Sequence, residues 1–340
     1  MNYYIKQSPI TGLAGFGGGA SGLNVAGGAT PIWYGDRALK WGGNAMSGGY
    51  RDQIEYKTIS DTGDGTDFGD LTGARVSVAG CSDGTKGVMQ TGYQSGAAGY
   101  NNELSWVTIS TTGDATDRGD LTEEKFGQSA CSDGTLGFCV GGGHTKSSFT
   151  NTDKIEVFTM ATSGNASDAG DLTSSTYTDT SITVNDATRA VRCGGATGNG
   201  GTQVDTMDYF TMTTSVTSTD FGDLKWPSKA LEGCGNDTRG VITLGSTTQS
   251  GSTVYEDQIQ YITIQSAGNA TDFGDLTQAR NHASSATNGT RAIFQSGYFW
   301  PGNYTYDIID KIEIDTTGNA TDLADCIQAV WESGSCSGNA

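Results

Sequence analysis

Carboxylates spaced two or three residues apart are the first candidates for chemistry in this chain. The stretch Gly63–Thr72, GDGTDFGDLT, holds Asp67 and Asp70, and close variants hold Asp117 with Asp120 and Asp272 with Asp275. Hard oxygen ligands at close spacing are what calcium takes, but a full shell needs roughly six to eight of them. Each copy brings two or three side chains. In the competing reading, Asp and Thr satisfy N–H groups of a turn that ends an outer strand. Recurrence favours the turn, because a structural turn must return in every unit. No metal or cofactor is therefore expected, and these six Asp residues stand as the calcium candidates.

Nucleophilic chemistry has little to draw on. A Ser-His-Asp triad would have to use His144 or His282, the two histidines of the chain. No GxSxG elbow accompanies them. Glycoside hydrolysis needs two converging carboxylates, and nothing singles out a pair among 38 acidic residues. No catalytic residue is assigned, and the expectation is a non-enzyme.

The elements that must carry these residues follow from the repetition of the same phrase. Its Asp recurs at Asp67, Asp117, Asp168, Asp220, Asp272 and Asp322, in steps of 50, 51, 52, 52 and 50 residues. A fixed period of about 40–50 residues signals a propeller or an array. Each unit reads as four short strands. Taken from Leu71, strand A covers roughly 75–81, B 86–90, C 103–109 and D about 116–121. Asp-Gly and Gly-Asn or Gly-Asp turns supply the φ > 0 positions that hairpins want. Strand B reads KGVMQTGY, LGFCVGGG, RAVRCGGA, RGVITLGS and RAIFQSGY, and a sixth copy, RALKWGGN at Arg37–Asn44, has no strand A before it. That strand lies at the other end of the chain, where AVWESGSCSGNA (329–340) aligns with ARVSVAGCSDGT (74–85). The expected fold is all-β: a six-bladed β-propeller of four-stranded antiparallel blades, its ring closed by the C-terminal strand completing the first blade. Closure removes exposed sheet edges. Cys81, Cys131, Cys234 and Cys336 share a register with Val184 and Ala286, as small buried side chains between blades would.

Composition narrows the partners. The net charge is −19, which argues against nucleic acid and against an anionic membrane surface, and suits a salty medium. No apolar run of about 18 residues is present to span a membrane. The start, MNYYIKQSPITG, lacks the basic and apolar regions of a signal peptide. Seven cysteines without a CxxC signal neither zinc nor a full disulfide framework.

What does not repeat is where function is sought. Residues 1–33 form a Gly-rich segment with apolar anchors at Tyr3, Tyr4, Ile5, Leu13, Phe16, Leu23 and Val25. It is read as an attachment arm to residues 34–340, the propeller. The B–C loops vary in length and composition, and such loops on a repeated scaffold carry binding. The last is aromatic, with Tyr298, Phe299, Trp300, Tyr304 and Tyr306; His144, Phe149, Tyr100 and Tyr255 lie in the others. Aromatics suit sugar faces or a protein partner. Strand alternation puts these loops on the face opposite the A–B turns, from which the arm leaves.

The period, the Gly pairs closing strand B (Gly42-Gly43, Gly141-Gly142, Gly194-Gly195) and the strand C aromatics Tyr56, Trp106, Phe158 and Tyr261 resemble kelch-type propellers over residues 34–340. Copper radical oxidases share that scaffold, but their site needs two His, two Tyr and a thioether-forming Cys, and the two His here fall in different units. DQIQYITIQSAGNATDFGDLT (257–277) and DKIEVFTMATSGNASDAGDLT (153–173) are similar to repeats of virion structural proteins of marine tailed phages, especially cyanophages. That resemblance implies a non-enzymatic virion protein, made in host cytoplasm and placed in the virion as a tail, collar or capsid-surface appendage. Its implied partners are other virion proteins through residues 1–33 and a host-surface glycan or protein through the loops. The alternatives are a cellular kelch-like binding module and a propeller enzyme acting on carbohydrate.

Overall fold

The computed structural model describes residues 33–94, 99–144, 150–175, 181–197 and 202–340, all within the compact unit Pro31–Ala340. No helix occurs among them. Four kinds of strand recur. The A strands are Ala79–Ser82, Ser129–Ser132, Ile182–Asn185, Glu232–Gly235, Ser284–Thr287 and Gly334–Gly338. The B strands are Arg37–Trp41, Lys86–Gln90, Leu136–Val140, Arg189–Cys193, Arg239–Thr243 and Arg291–Gln295. The C strands are Gly49–Thr58, Gly99–Thr108, Lys154–Thr159, Thr202–Thr211, Gln258–Thr263 and Ile308–Glu313. The D strands are Thr66–Val76, Thr116–Lys125, Ser167–Asp171, Thr219–Lys229, Thr271–Asp275 and Thr321–Asp325.

Each B strand pairs antiparallel with an A strand and a C strand, and each C strand with a D strand. Cys81 lies opposite Val88, Val88 opposite Trp106, and Trp106 opposite Thr116. We number these sets one to six by their B strands. Set one takes its A strand from the far end of the chain: Gly334–Gly338 pairs with Arg37–Trp41, Cys336 opposite Leu39. Neighbouring A strands touch in the cyclic order one to six and back to one. The A strand expected to begin near Arg75 is shorter. Arg75 and Val76 end the preceding D strand, where they pair with Gln94 and Tyr93 of the next set's loop hairpin.

The B strands are buried on both faces because each sheet is covered by a neighbour on both sides. Their residues after the first are all buried. The strand A cysteines fill the same layer. Cys81, Cys131 and Cys336 are buried with Val184 and Ala286, and Cys234 is partly buried.

The repeated phrase is strand D with its lead-in, and it builds the seams between sets. A bulge interrupts each D strand after its Asp: Ile54 pairs with Gly69 but Glu55 with Asp67, leaving Phe68 as the extra residue. The bulge glycine is required by its neighbour. A Cβ on Gly274 (φ 148°) would sit 2.4 Å from the carbonyl oxygen of Gly318 in the next set. Gly318 and Ala320 reach back there, their N–H groups donating to Phe273 O at 2.8 Å and Asp275 O at 2.7 Å. The same backbone clasp joins Gly113 to Phe68, Gly164 to Arg118, Val216 to Ala169 and Gly268 to Phe221. Between sets six and one, Gly65 N donates to Asp325 O at 2.8 Å, while Gly63 N turns to its own Asp61. Ala324 stands there where the other five D strands have Gly.

A second latch lies beyond the bulge. A side chain of the next set's strand C accepts from the residue after Leu or Cys of the phrase. Asp310 accepts from Thr277 N at 3.0 Å, Glu156 from Thr122 N, Glu55 from Ile327 N and Gln260 from Lys225 N. Asp208 and Glu103 accept from the hydroxyls of Thr173 and Thr72. Three of these carboxylates are buried and paired: Glu156 with Lys125 at 2.5 Å, Asp310 with Arg280 at 2.9 Å and Glu55 with Lys40 at 3.1 Å. A third latch is the cation opening strand B. Arg37, Arg189, Arg239 and Arg291 each donate to an isoleucine carbonyl of a neighbouring set.

Candidate ligand-binding face

The antiparallel order puts the B–C loops and the D–A connections on one face. There the aromatic side chains meet across sets. The last loop folds as a small hairpin with Phe299 opposite Tyr304, and Tyr298 Oη donates to Asn303 Oδ1 at 2.6 Å. Tyr255 reaches Phe299 from the set before (6.4 Å between centroids), and Phe299, Tyr304 and Tyr306 follow one another at 5.5 and 5.1 Å. Tyr298 is buried beneath them. It stacks on Trp331 at 5.2 Å and meets Trp300 edge-on at 5.7 Å. Trp300 is 61% exposed and Tyr304 43%. Burial and the hydroxyl of Tyr304, 3.2 Å away, push the Tyr306 phenol up to about 12. On the same face, in sets one and two, Tyr50, Tyr93, Tyr100 and Phe126 form a second row with spacings of 5.8, 5.1 and 4.9 Å. Met46, at the tip of the first loop, is 48% exposed.

Of the sequence candidates, Tyr298, Phe299, Trp300, Tyr304, Tyr306 and Tyr255 thus form one cluster, and Tyr100 belongs to the second row. Phe149 and the side chain of His144 lie outside the described residues, as do the arm positions Tyr3, Tyr4, Ile5, Leu13, Phe16, Leu23 and Val25. Sequence reasoning missed Trp331, Tyr50 and Phe126. Trp331 and Phe126 sit in D–A connections, which vary from set to set. Tyr93 could have been paired with Tyr298 from the shared run GY after strand B.

A polar cluster adjoins Trp331. The D–A connections place Ser77 (φ 56°), Gly127 (φ 61°), Ala230 (φ 58°), His282 (φ 52°) and Glu332 (φ 55°) in the left-handed region. Their backbones link around the axis: Ser77 N donates to Glu332 O, Glu332 N to His282 O, His282 N to Ala230 O and Gly127 N to Ser77 O. Non-glycine residues tolerate this conformation at a cost of order 1–3 kcal/mol, which this shared bonding offsets. Ser77 Oγ donates to Glu332 Oε2, and His282 Nδ1 lies 3.8 Å from Glu332 Oε1. The carboxylate stands between hydroxyl and imidazole. A triad places the imidazole there instead, where it can take the hydroxyl proton.

The calcium candidates are spread along the outer D strands. Asp117 Oδ1 accepts from Gly119 N, while Asp67 and Asp272 accept from Gln53 and Gln258. Burial and neighbouring carboxylates raise the pKa values of Asp70 and Asp275. No group of three or more His, Cys, Asp or Glu side chains poised to hold a metal occurs among the described residues.

No protein-family model matches this chain, and no curated protein matches it. Solved structures do. That of YjhT superposes with a TM-score of 0.64 at 12% identity, covering 86% of this chain and 98% of that one. The likeness is one of fold. The chain is an all-β protein of β-propeller type.

Proposed function

We propose that this chain is a non-enzymatic structural protein of a tailed-phage virion, tethered by residues 1–33 and binding a host-surface glycan through its B–C loop face. In this reading the six sets are six blades, and strand Gly334–Gly338 closes the ring. The observation that carries the binding role is the cluster around Trp300 and Tyr304, whose rings remain exposed after Tyr298 and Trp331 have packed beneath them. Flat aromatic faces held on a rigid scaffold bind the C–H faces of sugars with little entropy lost on association. The sequence likeness of the repeats to virion proteins supports the setting. The Ser77–Glu332–His282 order supports a binding role over hydrolysis. A glycan panel probed with the purified chain tests the binding role. Wild type is expected to retain a discrete subset, and Trp300→Ala with Tyr304→Ala to lose at least tenfold in affinity for it. Retention of the same glycans by the double variant with unchanged affinity overturns the assignment.

A further inference from the structure

A cavity of about 120 Å³ runs along the axis between the A strands. From the A–B turns back along the A strands its polar lining is spent. Ser82 donates to Ser337 O, Ser337 to Thr287 O, Ser335 to Ser285 O and Ser285 to Gly233 O, so hydroxyls of one A strand satisfy carbonyls of its neighbour. Trp33 borders the end nearest the A–B turns, its carbonyl oxygen 2.6 Å from Ser82 Oγ as an alternative acceptor for that hydroxyl.

The other end is different. Gln128, Ser181 and Ser333 each immediately precede an A strand and line the cavity, 4%, 3% and 5% exposed. Gln128 Oε1, Ser181 Oγ and Ser333 Oγ are buried without a hydrogen-bond partner. The amide of Gln128 cannot simply turn over, because its Nε2 donates to Thr91 O. Its oxygen is therefore a fixed acceptor. Glu232, which opens its A strand one residue further along, also lines the cavity. Its carboxylate makes no hydrogen bond or ion pair among the described residues; the residue is half-buried, and desolvation raises its pKa. Buried polar atoms are ordinarily paired, and an orphan costs about 1–3 kcal/mol. Several orphans in one cavity call for a common partner.

We propose that this end of the axial cavity binds a single calcium ion, through the Glu232 carboxylate and the oxygens of Gln128, Ser181 and Ser333. The donor set is all oxygen and weighted to acceptors, which selects a hard cation over an anion. Four protein groups fall short of the six to eight oxygens that calcium takes. The cavity supplies room for the balance as water, since one water needs only about 10–15 Å³ of such volume. With one carboxylate in the set, affinity belongs with weak sites of about 10⁻⁴–10⁻³ M. The site lies at the B–C loop end of the axis but uses none of the aromatic side chains, so its test does not depend on glycan binding.

Calcium titration of the full chain by calorimetry, with thermal melts alongside, tests the proposal. Wild type is expected to bind one ion per chain saturably and to melt higher in 10 mM CaCl₂ than in EDTA. Glu232→Gln is expected to weaken binding at least tenfold while retaining a cooperative melt. Ser333→Ala serves as a second variant should Glu232→Gln not fold, with binding weakened severalfold. Asp70→Asn with Asp275→Asn, on the outer rim, is expected to leave binding unchanged. Absence of saturable binding up to 10 mM overturns the proposal. So does binding that survives both cavity variants or is lost in the rim variant.

Discussion

Gly274→Ala tests the seam directly. The new Cβ would sit 2.4 Å from Gly318 O and 2.5 Å from Gly318 C, both backbone atoms held by the clasp. Something must move. Either the bulge shifts, or Gly318 and Ala320 give up bonds of 2.8 and 2.7 Å to Phe273 and Asp275. Holding alanine at φ 148° costs of order 1–3 kcal/mol. Losing or stretching one backbone bond adds about 1 kcal/mol. The expected loss is thus about 2–4 kcal/mol. At about 2 °C per kcal/mol for a chain of this size, the midpoint should fall by roughly 4–8 °C in calorimetry. The internal control is Ala324, which holds the equivalent position at the seam between sets six and one. There the bond equivalent to Gly318 N to Phe273 O is replaced by Gly63 N bonding Asp61, and the alanine fits with no positive φ. Ala324→Gly should change stability by less than about 1 kcal/mol, the usual cost of glycine flexibility. Equal effects at the two positions, or a Gly274→Ala midpoint within 1 °C of wild type, would refute the close-approach argument.

Lys125→Met should destabilise by about 3–5 kcal/mol in denaturant titration, because it strands the fully buried Glu156 carboxylate. Adding Glu156→Gln should restore much of that loss, since the amide oxygen can still accept from Thr122 N. The rim carboxylates Asp70, Asp223, Asp275 and Asp325 have pKa values raised by partial burial and by other Asp residues. A raised carboxyl pKa means that the folded chain binds more protons than the unfolded one. Stability should therefore rise as pH falls from 7 through those raised values. Added NaCl at pH 7 should raise the melting temperature by screening the same repulsion; melts in a pH and salt grid check both signs.

The repeat period, the strand B positions and the placement of the last strand beside Arg37–Trp41 were legible because each rests on a pattern that recurs in the chain. The meaning of the repeated phrase was less so. The phrase reads as strand D closed by a turn; the structure instead puts a bulge within the strand Thr66–Val76, whose glycine answers to backbone 44 residues away in the next set. A partner at that distance leaves no local signature. The aromatic cluster was half legible: Tyr298 to Tyr306 stand together in sequence, whereas Trp331 joins them only because a D–A connection crosses behind the loop. The axial site was not legible. Gln128, Ser181 and Ser333 share a register with Val78, Leu231 and Ala283, and Glu232 shares one with Ala79, Ser129, Ile182, Ser284 and Gly334. Residue types that differ from set to set form no motif. Only the ring brings them together.

The most direct measurement of the central claim is particle incorporation. Purified phage particles carrying the full chain, or the chain without residues 1–33, would be examined by quantitative mass spectrometry. The account predicts a fixed copy number per particle for the full chain and none for the truncated one, which should accumulate folded and soluble. Truncated chain present at the full-length copy number, or full-length chain absent from particles, would contradict it.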